Sequence, residues 1–159
     1  MAATCNCSGN FAIELLDSSG KTKDVAVNVI GHYSGSVGEG LDAGDYSLKI
    51  SADATWTVTI TQPRGVPGAS LPHTFTGKGQ QTVGPFSAGD AANLKAQNTS
   101  AGGSNFAVEV LGDDGSTKDV AFNEIGSFSG STVSNGLSGG PFWLKVDSDG
   151  SWTITVSAP

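Results

Sequence analysis

The chain has 159 residues, with eight Lys and Arg against fifteen Asp and Glu, for a formal net charge of −7. Nucleic acid and anionic membrane surfaces both require clustered positive charge to displace counterions, so this balance excludes them as partners. Its 23 Gly, 14% charged residues and three Trp describe turns and short strands rather than helices, and apolar runs of only about five or six residues exclude insertion into a bilayer as a helix.

The N-terminal stretch "MAATCNCSGN" has neither a charged leader nor an apolar core, so an exported protein's signal is not written here. Cys5 and Cys7, the only cysteines, are separated by one residue. So small a ring disfavours a bridge, and without further Cys or His the pair makes no metal site. The expectation is a flexible end with free thiols, the alternative a tether through lipid or an interchain disulfide.

From Asn10 the sequence becomes periodic. Phe11, Ile13 and Leu15 alternate with Ala12 and Glu14, as in a half-buried strand, and "DSSG" follows as a turn. "KDVAVNVI" reads as the next strand and "IGHYSGS" as a loop carrying Tyr33. Two further strands alternate apolar Tyr46, Leu48, Ile50 and apolar Trp56, Val58, Ile60 with polar residues, joined by the turn "SADAT". The stretch 64–72, rich in Pro and Gly, reads as a hinge, followed by strands at "HTFTG", "QTVGPF" and "NLKAQ".

The pattern then returns. Asn105 to Ser131 aligns without a gap on Asn10 to Ser36, and after one inserted residue the match runs on from Leu41/Leu137 to Pro63/Pro159. About half of the aligned positions are identical, which marks a tandem duplication. The expected organisation is a first repeat over residues 1–63 that lacks its opening strands, and a complete second repeat over 64–159. The expected fold is all-β: antiparallel β-sandwiches of the jelly-roll or immunoglobulin-like type. A homodimer could complete the first repeat.

No catalytic constellation accompanies this pattern. His32 is replaced by Ser127 in the second repeat, His73 has no counterpart, and no nucleophile elbow is present. Glu14 and Glu109, imaginable as paired carboxylates for glycoside cleavage, each lie on the outward side of a strand. No organic cofactor is expected. Calcium is the metal candidate, at the Asp-rich turns holding Asp113 and Asp114 and, further on, Asp147 and Asp149, since hard oxygen ligands suit it; plain hairpin turns are the competing reading. Trp143 stands where the first repeat has Ser47, on the polar side of its strand. An indole there would stack on a sugar, bridge the repeats or form a dimer patch. Tyr33 and its counterpart Phe128 are further ligand candidates, or plugs at the end of the sandwich.

The glycine, aromatic, "LKV/I", Asp-containing turn and "WTV/IT" of "YSLKISADATWTVTI" and "FWLKVDSDGSWTITV" resemble the closing hairpin of bacterial secreted β-sandwich modules, similar to the pre-peptidase C-terminal domains of exported peptidases. This resemblance implies a non-catalytic accessory module, extracellular or at the cell surface, that binds a polysaccharide or protein partner. The alternatives are a structural repeat of a surface array or virion and, on the Asp-rich turns, a hydrolase.

Overall fold

The computed structural model describes residues 1–100, 102–138 and 140–159, and among these there is no helix. The strands are β1 (Ala2–Cys5), β2 (Asn10–Leu16), β3 (Thr22–Ile30), β4 (Tyr33–Ser36), β5 (Ser47–Ser51), β6 (Trp56–Thr59), β7 (His73–Lys78), β8 (Gln81–Phe86), β9 (Ala91–Thr99), β10 (Asn105–Leu111), β11 (Thr117–Ile125), β12 (Phe128–Asn135), β13 (Phe142–Asp147) and β14 (Ser151–Ser157). They form two compact units, Met1–Thr61 and Gln62–Pro159.

The second unit is a sandwich of two four-stranded sheets, ordered β11-β10-β13-β8 and β12-β9-β14-β7. Its pairs are nested: β10 with β11, β9 with β12, β8 with β13 and β7 with β14, all antiparallel. The chain is thus one long ribbon, folded back on itself at the β10–β11 turn and rolled so that β14 meets β9 and β13 meets β10. This is the winding of a jelly roll. Alternation puts Val108, Val110, Leu144 and Val146 of one sheet against Leu94, Ala96, Ile154 and Val156 of the other in a single buried core.

The first unit repeats the winding with fewer strands. Its sheets are β4-β1-β6 and β3-β2-β5. The pairs β2–β3 and β1–β4 answer β10–β11 and β9–β12, while β5 and β6 have nothing in the places of β8 and β7. A buried cluster of Ala3, Cys5, Cys7, Phe11, Ile13, Val27 and Tyr33 lies between the sheets.

Three expectations need correction. The N-terminal stretch is not a flexible end: Ala2–Cys5 is a central strand, paired to β4 on one side and β6 on the other. Cys5 and Cys7 are not free thiols but form a disulfide, both side chains buried in the first core. Trp56 and Ile60, expected on a core face, are exposed, because no strand lies outside β6 to cover them. Within the stretch 64–72, Ala69 bridges to Phe86 and accepts the Ser87 N–H at 3.0 Å.

Candidate functional site

Each candidate residue is placed by its strand. Trp143 does point away from the core, since its neighbours Phe142 and Leu144 are buried. It is half-buried rather than bare, and the cover comes from its own unit. The β13–β8 ladder shifts register between Phe142 and Leu144, and this bulge lays the indole over Gly84, where a Cβ would stand 3.3 Å from the ring atom Cε3. Gly84 has φ +132°, a conformation that glycine adopts without cost and other residues do not. The ring is therefore part of the β8–β13 junction, and Ser47 suffices in the first repeat because that unit has no strand in the place of β8.

Tyr33 and Phe128 pack inward. The Tyr33 ring lies 5.7 Å from that of Phe11, and Phe128 sits 5.8 Å from Phe106 and 5.2 Å from Phe122. Both plug the ends of their own cores, which accounts for the aromatic at this position in both repeats.

The acidic candidates are committed locally. Asp114 accepts the Ser116 N–H at 3.0 Å and its hydroxyl at 2.6 Å, and pairs with Lys118 at 3.6 Å. These hydrogen bonds, with the Lys118 charge, hold its carboxyl below the ordinary value. Asp149 accepts the Ser100 hydroxyl at 2.6 Å and is likewise lowered. Asp147 moves the other way: desolvation of its carboxyl raises it, Lys145 opposes the rise and Glu109 adds to it. Asp113 is an exposed turn residue. Among the described residues no three His, Cys, Asp or Glu side chains converge to hold a metal ion. Glu14 bonds Lys49 at 2.7 Å and the Thr22 hydroxyl at 3.1 Å, which lowers it, while Glu109 accepts the Thr117 hydroxyl at 2.8 Å. His32 is exposed, and His73 sits in β7 with its ring 4.6 Å from Phe75.

The most distinctive exposed apolar residues lie elsewhere, on β6, just beyond its end and in the stretch before β5. Trp56, Ile60 and Leu41 are 47%, 65% and 45% exposed, whereas their counterparts Trp152, Val156 and Leu137 are 2%, 0% and 0% exposed. In the second unit β7 and the connection to β9 supply the cover. The Trp152 indole N–H donates to the Gly79 carbonyl at 2.9 Å, a side chain at Gly77 would run into the ring, and the Leu137 N–H donates to the Asp90 carbonyl at 2.9 Å. Phe75 and Phe86 of β7 and β8, 6.3 Å apart, close the sandwich against Phe142. The first unit offers the same receiving surface uncovered. The clean alternation of Trp56, Val58 and Ile60 signalled an apolar face, and the missing opening strands of the first repeat signalled incomplete sheets, but not that these side chains would be the ones left exposed.

Comparison of the chain with family models, with curated proteins and with solved structures finds no match.

Proposed function

We propose that the chain is a non-catalytic, extracytoplasmic structural or adhesive module that joins a protein partner through the open β5–β6 side of its first unit. The carrying observation is that side itself: three large apolar side chains exposed where the duplicate unit buries them. Monomeric proteins seldom leave contiguous apolar surface beside an unpaired strand, because it invites another chain to pair with it. The buried disulfide supports an oxidising compartment. Trp143, leaning on Gly84, is a weaker platform for sugar than a bare ring.

The test is a pair of arrays, one of glycans and one of extended peptides with alternating apolar residues, probed with the full chain. The expected result is a silent glycan array and peptide binding that disappears in Ile60→Lys. Glycan binding that disappears in Trp143→Ala would replace this reading with sugar recognition on the outer face of the second unit.

A further inference from the structure

We propose that the β5–β6 edge is an acceptor site for a strand–turn–strand segment with the chemistry of β7–β8, one strand for each sheet, presented by a partner polypeptide. This deepens the reading of the chain as a module acting through that edge, and rests on it. The duplication supplies the form of the occupant. In the second unit one outer strand of each sheet comes from a single strand–turn–strand segment, a hairpin in chain path only since its arms lie in opposite sheets: β7 against β14 and β8 against β13, joined through residues 79–80. The first unit ends its sheets at β6 and β5, one strand short on each. A single strand would extend only one sheet; a hairpin of this kind completes both and closes the core between them.

The occupant's residues follow from what the second unit requires. The strand beside β6 needs a glycine facing Trp56, as Gly77 faces Trp152, since any side chain there would collide with the indole. It needs a backbone carbonyl at the turn for the indole N–H, as Gly79 provides. It needs apolar rings at the positions of Phe75 and Phe86 to cover Leu48, Ile50 and Val58, which pack against the first core but are only partly buried. It need not carry a glycine in the place of Gly84, because Ser47 leaves no indole to avoid. The segment His73–Phe86 has Lys78 as its one formally charged residue, so affinity comes from ladder hydrogen bonds and specificity from alternating side chains, as in other strand additions.

The register is also fixed. Asn98 pairs with Phe128 and Trp152, and Cys5 with Tyr33 and Trp56, so β1 answers the C-terminal part of β9 and Met1 stands where Leu94 stands. Residues 64–93 placed directly ahead of Met1 therefore carry a copy of the hairpin to the open edge with the connection that unit 2 uses.

The experiment grafts that copy onto the full chain and follows amide hydrogen exchange by segment. In the ungrafted chain the amides of Ser47–Ser51 and Trp56–Thr59 are expected to exchange faster than their counterparts in β13 and β14. The graft is expected to slow them by about tenfold or more, and Gly77→Leu made only in the grafted copy is expected to abolish the slowing while leaving the second unit untouched. Unchanged exchange in β5 and β6 on grafting would falsify the acceptor site. An ungrafted chain that is a dimer in solution, with β6 already protected, would also overturn it in favour of edge pairing between two copies. A sugar-binding result on the arrays, by contrast, overturns the functional reading and leaves the graft result standing.

Discussion

The two units follow one pattern and differ in how far it is carried out. In the second, every strand of the rolled ribbon has its partner, and Trp152, Val156 and Leu137 are buried; in the first, the same positions face solvent. The lesson is that the strand "WTVTI" or "WTITV" does not bury itself: its apolar face becomes core only when an outer strand lies beside it, as β7 lies beside β14. A second difference is interior. Asn98, buried in unit 2, donates to the Gly126 carbonyl at 3.0 Å and accepts the Ser148 hydroxyl at 2.8 Å, and Ser148 in turn accepts the Gly150 N–H at 3.0 Å. Unit 1 has Cys5 in the place of Asn98 and Ala52 in the place of Ser148, and fills that space with the Cys5–Cys7 disulfide. At this position one core is locked by a satisfied polar network and the other by a covalent apolar plug, whereas elsewhere in unit 2 the Ser134 hydroxyl is buried with no hydrogen-bond partner.

The largest effect that should separate the units comes from truncating the paired tryptophans. Trp152→Ala empties a fully covered site and is expected to cost the second unit about 3–5 kcal/mol, whereas Trp56→Ala removes a half-exposed ring and should cost the first about 1 kcal/mol or less; segment-resolved exchange under denaturant reads both. Equal losses would mean that Trp56 is covered in solution. Next comes Asn98→Ala, which strands the Gly126 carbonyl and the Ser148 hydroxyl and should lower the stability of unit 2 by about 1–3 kcal/mol. Reductant should leave unit 2 unmoved and loosen unit 1, where the freed sulfurs stay buried. Protection in Ala2–Cys5 is the readout, and an equal response in β9 would show that the two locks are not independent.

The smallest effect is acidic. Asp53 accepts the Gly9 N–H at 2.7 Å and the Ser8 hydroxyl at 2.9 Å, bonds that hold its carboxyl below the ordinary 3.8. A depressed folded-state value means that its stabilisation is present above the unfolded value and is lost as pH falls from about 3.8 through the lower folded one. Asp53→Asn should therefore narrow the difference in melting temperature between neutral and acidic pH for unit 1. A pH profile identical to that of the parent chain would remove Asp53 as a clamp on the turn before β2.

Much of the fold could be read in advance. Strict alternation in "FAIELL" and "FAVEVL", and the Asp and Gly turns after them, located β2, β10 and their partners, and the repeat itself implied a duplicated sandwich. What could not be read has physical causes. β1 was missed because "AATC" shares only one residue with the matching part of β9, "KAQN", Ala3 answering Ala96; its pairing reveals the equivalence. The exposed Val25 and Val120 arise from a bulge, in which Ala26 or Ala121 is the extra residue and the next valine lands opposite an outward Glu14 or Glu109. A one-residue insertion in a ladder leaves no mark in a periodic sequence. The candidate site was legible only in part: Trp143 was noticed as an oddity, and Gly84 beneath it explains the oddity. The open edge was legible from the duplication, as a first repeat lacking its opening strands, although no residue within β5 or β6 records it.

The nested winding also decides how the chain answers to force. In each unit the strands at which the polypeptide enters and leaves are antiparallel neighbours, Ala2 across from Thr59 in one and His73 across from Val156 in the other. Both ends of a unit thus emerge on the same side, and tension along the chain loads the ladder one rung at a time, as a zipper is opened, instead of shearing all its hydrogen bonds together. Each unit should yield at low pulling force however stable it is to heat. The first unit, with only the four rungs between β1 and β6 to open and no outer hairpin beyond them, should be the first to lengthen.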